Sequence, residues 1–305
     1  MAVRIIADGS CDLSAEECSR LDIIKIPLQV FFGDECFVEG ENMTTEEFYA
    51  RLSSSDLLPK TAQISPGRFE EVYAPLVEAG DEIVVLPISK ELSGTYHSAC
   101  MAREAFPEAC IYVADTQNVT FPLGLLVYEA CRMRDEGLSG QEIHRRIETD
   151  LAPRLRLYAV IDDLKYLRLG GRLSSAGAAV GTLLGIKPLV TIEGGKVINI
   201  HKARGQKAAM TWIAERLKEE YGGGTLYLGH SDAPEKMAEL EQAILDGADI
   251  RADEKLAKHA DWVEEFLPKY GFTAGSGLEG EITPERLHEI VQTEIGLVFK
   301  EVLTD

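Results

Sequence analysis

Short apolar runs that end in turn residues and lead into helical patterns recur along the first half of this chain. That alternation restricts it to an α/β architecture. VRIIAD (3–8) is followed by the turn-forming GSCD and then by SAEECSRL, whose spacing is helical. IIKIPLQVFF (23–32) reads as a strand, and Thr44 with Glu47 makes a capping box for a helix over MTTEEFYARL. Ser65 and Pro66 suit the cap and first position of a helix that places Phe69, Val72, Tyr73 and Leu76 on one face. EIVVLPIS (82–89) and IYVAD (111–115) have the continuous apolar character of buried parallel strands, each followed by a helical pattern. RLYAVID, near residue 160, is expected to be the last strand of the same sheet.

The texture then changes. LKYLRLGGR (164–172) leads into the small-residue stretch SSAGAAVGTLLG, and KPLVTIEGGKVINIH predicts a hairpin turning at Gly194–Gly195. A helix from about Gln206 to Glu219, a glycine break at 222–224, the strand TLYLGH and a helix starting at Pro234 predict a second α/β unit, with a mainly helical, acidic tail from Leu256. A chain of 305 residues exceeds what one compact core usually holds. The expected fold is two α/β domains, 1–160 and 161–305, the first with a mostly parallel sheet.

Charge is unevenly spread. The net formal charge is −20, which argues against general affinity for nucleic acid or for an anionic membrane surface. Residues 1–153 are net −15 and residues 208–305 net −12, whereas residues 154–207 carry 10 basic and 3 acidic side chains, net +7. A cationic stretch in an acidic protein is either a solvated face or an anion or partner site. The six cysteines form no CxxC pair and read as buried thiols. No run of about 18 apolar residues or secretory signal occurs, so a cytoplasmic protein without stable membrane insertion is expected.

Two segments carry candidate chemistry. TAQIS (61–65) brings hydroxyl and amide groups to a helix entry, where free backbone N–H groups favour anions; ordinary capping by Ser65 accounts for part of it. SKELSGTYHSA (89–99) follows a strand, and loops at strand carboxyl ends are where open α/β sheets bind ligands. There Gly94 permits close approach, and Ser93 and Thr95 offer hydroxyls to a carboxylate or phosphate. GxxxGxK at 181–187 is not a P-loop, because Pro188 stands where a magnesium-binding hydroxyl belongs. The six histidines show no metal-ligand spacing, so no metal or cofactor is expected. Ser93 and His97, four apart, suggest one helix face and a Ser–His pair, without the GxSxG elbow that usually holds such a serine.

ADGSCD with Asp8 and Asp12, TAQIS, Ser89, LSGTYHSA, LKYLRLGGRLS, LLGIKP and Arg204 occur in the order and spacing of the DegV family of bacterial fatty-acid-binding proteins, which this sequence resembles from residue 1 to about 220. The resemblance implies a long-chain fatty acid held in a buried tunnel between two α/β domains, by a protein that is not itself an enzyme. Some members, the FakB subunits, present that acid to a fatty acid kinase for phosphorylation to an acyl phosphate. Carried over, Thr61 and Ser93 are the hydroxyl donors to the carboxylate. Gly94 and Thr95 belong to the same loop, and Arg204 is the cation near the head group. Lys165, Arg168, Arg172 and Lys202 fall in or near the region that meets the kinase, and the family suggests a monomer. Tyr166, Leu167, Leu183, Leu184 and Ile186 are candidates for tunnel lining. TAQIS stands where the family usually has TSQPS, and neither FTAGSGLEG (272–280) nor EIVQTEIGLVF (289–299) supplies the histidine of the family's HTGPG segment. Two alternatives are a hydrolase or phosphate-ester-handling enzyme using Ser93 and the same loops, and a structural or regulatory partner with a vestigial pocket.

Overall fold

The computed structural model describes residues 2–55, 57–162, 164–173, 185–220, 228–231, 233–247 and 299–300. They fall into two compact units, one within Met1–Leu184 and Pro188–His201, the other within Gly185–Lys187 and Lys202–Asp305.

The first unit begins with β1 (Val3–Asp8), α1 (Ala15–Arg20) and β2 (Ile23–Ile26), then β3 (Gln29–Phe32), β4 (Glu35–Val38), α2 (Thr45–Ser54) and β5 (Lys60–Ala62). It continues through α3 (Pro66–Glu78), β6 (Glu82–Leu86), α4 (Thr95–Arg103), β7 (Ile111–Val113), α5 (Thr120–Asp135) and α6 (Gly140–Arg146). The parallel sheet has the order β2-β1-β6-β7. Ile5 pairs with Ile23 on one side and Val84 on the other, and Ile83 pairs with Ile111. Alternation along the strands sends Ile6, Ile83, Val85, Ile111 and Val113 into one core with Phe69, Tyr73, Ala99 and Ala102 of α3 and α4. Ile5, Val84 and Leu86, of the opposite parity, are equally buried. Burying each large aliphatic side chain contributes about 1.5–3 kcal/mol, which makes this sheet the stable base of the unit.

Local signals hold as expected at the helix starts. Thr44 and Glu47 form the capping box, Ser65 accepts from the Arg68 N–H, and Pro66 opens α3. IIKIPLQVFF, however, is two strands. Pro27 lacks the N–H a ladder needs, and beyond it β3 leaves the parallel sheet for an antiparallel one of order β4-β3-β5.

RLYAVID is also corrected. After a π-helical turn (Ile147–Leu151) and β8 (Leu155–Arg156), the chain forms β9 (Ala159–Val160), then α7 (Lys165–Leu169), β10 (Ile186–Glu193) and β11 (Lys196–Arg204). β9 pairs antiparallel with β10 in a sheet of order β11-β10-β9 and does not extend the parallel sheet. The hairpin turns at Gly194 and Gly195, both with positive φ, as the paired glycines predict.

In the second unit, α8 (Gln206–Glu220) and α9 (Pro234–Gly247) pack against each other. Ala209, Met210, Ile213, Ala214 and Leu217 make the buried face of α8. Leu183, Leu184, residues 225–227 of TLYLGH and the tail from Leu256 apart from Phe299 and Lys300, with it segments 272–280 and 289–298, lie outside the described residues. Cys11, Cys18 and Cys131 are buried, Cys100 is partly so, and Cys36 and Cys110 are exposed. The expectation of six buried thiols is therefore corrected at the last two positions, which sit on a short strand and beside a turn.

Candidate functional site

Strand order places a topological switch point between β1 and β6, because the chain turns to β2 on one side of β1 and to β6 and β7 on the other. In open α/β sheets the crevice outside the carboxyl ends of such strands is the usual ligand position. The two loops that leave it are residues 9–14 after β1 and 87–94 after β6. Asp8 ties them together. Its Oδ1 accepts from the Ser10 N–H at 2.9 Å and from the Ser10 hydroxyl, and its Oδ2 accepts from the Ile88 N–H at 2.7 Å. Burial pushes the Asp8 carboxyl above the usual carboxylate range, although these bonds pull the other way. Asp12, at φ 55° in the left-handed region, is pushed up to about 7, mainly by loss of solvation, with Glu39 adding repulsion. Lys25 answers this negative charge, reaching Glu39 Oε1 at 3.3 Å and the Leu13 carbonyl at 2.7 Å. The acidic loop is thus largely occupied with holding itself.

The loop after β6 is neutral where it matters. Ser89 has no exposed surface, and its N–H donates to the Asn118 carbonyl at 2.9 Å. Its carbonyl accepts from Leu92 and Ser93, folding the loop into a turn that ends at Gly94, the N-cap of α4. Gly94 makes no side-chain cap, and a Cβ there would collide with the Gln63 side chain, so the close approach Gly94 allows is taken up by TAQIS. Gln63 Nε2 donates to Ser98 Oγ at 3.3 Å, and the Ile64 N–H donates to Thr95 Oγ1 at 3.3 Å. A proline at position 64 would have no N–H to give. Ile64 is buried among Phe69, Tyr73 and Ile26 and thus anchors TAQIS to the main core.

The two segments read from the sequence as anion loops are therefore neighbours. Ser93 is half-buried, with Oγ 3.0 Å from Thr95 Oγ1 and accepting from the Thr95 N–H at 3.3 Å. Thr95 is 1% exposed and Thr61, on β5, is exposed. Ser93 precedes the helix, which begins at Thr95, so it does not share a helical face with His97. His97 is exposed, its ring 5.4 Å from Tyr96, and the Ser93 hydroxyl meets Thr95 rather than an imidazole. The helix-face expectation for a Ser–His pair is overturned by Gly94, which delays the helix start.

Sequence reasoning missed what lies behind this loop. Ser89 Oγ donates to the Gly195 carbonyl at 2.9 Å, Lys196 pairs with Glu91 at 3.1 Å, and Arg172 Nε donates to the Leu92 carbonyl at 3.3 Å. The hairpin tip and the GGR segment thus brace the loop from positions 80 and 106 residues away in sequence. Nothing local signals these partners, although the family motifs singled out Ser89 and Arg172. Arg172 also bonds the Gly170 carbonyl, so its guanidinium serves loop architecture. Lys165 and Arg168 are exposed on α7 beside exposed Tyr166 and Leu169, with Lys165 5.6 Å from the Tyr166 ring. Leu167 and Ile186 are partly buried. Lys202 and Arg204 are exposed on β11 in the second unit. Among the described residues no group of three or more His, Cys, Asp or Glu is placed to hold a metal ion, and no helix is long and apolar enough to cross a membrane.

Fold and loops together define an α/β protein that gathers its polar loop ends at the switch point of a parallel sheet. A model of the DegV family, described as "Uncharacterised protein, DegV family", matches residues 2–256, and the chain belongs to that family. A DegV domain-containing protein of Caldanaerobacter subterraneus is 34% identical over 245 residues, covering 79% of this chain and 87% of its own. Among solved structures, a fatty acid binding DegV family protein from Streptococcus agalactiae aligns with a TM-score of 0.73 at 28% identity, covering 81% of this chain and 88% of that one. A DegV family protein from Thermus thermophilus, described by its fatty acid binding, aligns with a TM-score of 0.71 at 31% identity, covering 80% and 88%.

Proposed function

We propose that this protein binds a long-chain fatty acid, without catalysing a reaction itself, and that Thr61 and Ser93 donate hydrogen bonds to the acid's carboxylate. The observation that carries the reading is the meeting of the two hydroxyl-bearing loops at the carboxyl edge of the parallel sheet, where Ser93 stays half-buried beside Thr95. Similar proteins from Streptococcus agalactiae and Thermus thermophilus bind fatty acids, which supports the same ligand class here. Burying a C16 chain could supply roughly 12 kcal/mol before ordering costs, at about 0.8 kcal/mol per methylene. Neutral hydroxyls then fix orientation without holding the carboxylate as tightly as full ion pairs would. Gly94 shapes the same loop, and the family resemblance assigns Arg204 as the cation of the head group.

The reading extends to presentation of the acid to a fatty acid kinase, with Lys165, Arg168 and Lys202 as the contacting cations. Arg172 belongs to this set only in part, because its guanidinium already bonds the loop that carries Ser93. Denaturing the purified protein and analysing the released small molecules by mass spectrometry tests the ligand. A stoichiometric C14–C18 acid is expected, and an empty protein that also fails to take up added palmitate would sink the proposal. In a kinase-coupled assay on the same preparation, Arg168→Glu should lower phosphorylation more than palmitate binding.

A further inference from the structure

We propose that Thr95 is a positioning residue that turns the Ser93 hydroxyl into an obligate donor, so that the loop selects a carboxylate over an uncharged head group. The inference rests on the fatty-acid reading above and concerns where the protons lie within the site.

Three polar groups form a chain. The Ile64 N–H donates to Thr95 Oγ1 at 3.3 Å, Thr95 Oγ1 lies 3.0 Å from Ser93 Oγ, and the Thr95 N–H donates to Ser93 Oγ at 3.3 Å. Each hydroxyl has one proton and two lone pairs. In one arrangement Ser93 donates to Thr95. Thr95 then accepts two bonds, and its own proton, on a side chain 1% exposed, is left without the acceptor found in the alternative. In the other, Thr95 donates to Ser93. Its proton and one lone pair are then both used, and Ser93 Oγ accepts from the Thr95 N–H and the Thr95 hydroxyl together. A buried donor left unmade forfeits its desolvation cost, enough to bias the two arrangements by roughly 5- to 150-fold. The second arrangement therefore prevails.

Its consequence is directional. With both lone pairs of Ser93 Oγ engaged by Thr95, what Ser93 offers outward is its proton. A carboxylate accepts that proton well, with charge assistance, whereas a fatty alcohol gains less and finds no free lone pair to receive its own O–H. The backbone N–H of Ile64 starts the sequence, and the burial of Ile64 in the main core fixes where it points. Thr95, being buried, acts on a ligand through Ser93.

A double-mutant cycle tests this, with palmitate and hexadecanol as probes for wild type, Ser93→Ala, Thr95→Val, Thr95→Ser and Ser93→Ala/Thr95→Val. Palmitate affinity should fall about tenfold in Ser93→Ala and about fivefold in Thr95→Val. The double variant should be no weaker than Ser93→Ala alone, because Thr95 acts through Ser93. Thr95→Ser should restore palmitate binding to within twofold of wild type, and hexadecanol affinity should change less than twofold throughout. If Thr95→Val does not fold, Thr95→Ala takes its place in the cycle. Losses that multiply in the double variant, or equal losses for acid and alcohol, overturn the relay while leaving fatty-acid binding intact. A wild-type protein that binds neither probe overturns the fatty-acid reading as well.

Discussion

Two loops leave neighbouring strands of one sheet and use their polar groups in opposite ways. The loop after β1 concentrates ionisable carboxyls, Asp8 and Asp12 with Glu39 beside them, and directs Asp8 inward to backbone N–H groups. The loop after β6 places serine and threonine at its end, half-buried at Ser93, and takes its own support from distant segments. A charged group is expensive to bury and Asp8 is here consumed in joining the loops, whereas a neutral hydroxyl such as that of Ser93 can be held at low cost and remain available to a ligand. Position at the carboxyl edge is shared, and what separates a brace from a binding surface is whether the polar group's bonds are already spent.

The comparison breaks most severely at Gly195. Its φ is +78°, and a Cβ there would collide with Ser89 Oγ. Gly195→Ala should cost about 2–3 kcal/mol in urea unfolding through backbone strain and overpacking, and should weaken palmitate binding by releasing the loop after β6. A variant as stable as wild type would show that the hairpin tip does not brace that loop. Next in size is Asp8→Ala, which leaves the Ile88 and Ser10 N–H groups without their acceptor. A loss of about 2 kcal/mol is expected, and near-neutrality would mean that water replaces the carboxylate easily.

The smallest effect sharpens the contrast through pH. The Asp12 carboxyl is pushed up to about 7 in the folded protein, above its unfolded value near 3.9. Its contribution to stability is full below about pH 4 and is lost as pH rises through about 7. Asp12→Asn should therefore be more stable than wild type at pH 8, by about 1 kcal/mol once solvent at its exposed surface is allowed for, with the gain vanishing below about pH 4. Asparagine also tolerates the left-handed backbone found there. Paired thermal melts across that range would decide it, and a gain independent of pH would assign the effect to conformation rather than to charge.

Much of this was legible in the sequence wherever the signal was local. β1, β6 and β7 show as apolar runs, α2 and α3 by their caps, and the hairpin by its two glycines. The parting of β3 from β2 does not show in the sequence, because an apolar run looks the same on either side of Pro27. The sheet that β9 joins is not legible either, because two apolar residues do not specify a partner strand. At the site, TAQIS and SKELSGTYHSA are recognisable as polar helix entries and the resemblance pairs Thr61 with Ser93, but the bond from the Ile64 N–H to Thr95 that joins the two segments is not legible. Nor are the bonds of Ser89 to Gly195 and Arg172 to Leu92, since long-range partners leave no periodicity behind.

The docked hairpin has a practical consequence for anyone engineering the chain. Tips of β-hairpins ordinarily tolerate inserted tags and new termini. This one does not qualify, because its Gly195 is buried and its carbonyl receives a hydrogen bond from a serine with no exposed surface. A reporter peptide belongs instead at Gly80, an exposed turn between α3 and β6 with open space where a Cβ would stand, where an insertion leaves the hairpin brace untouched.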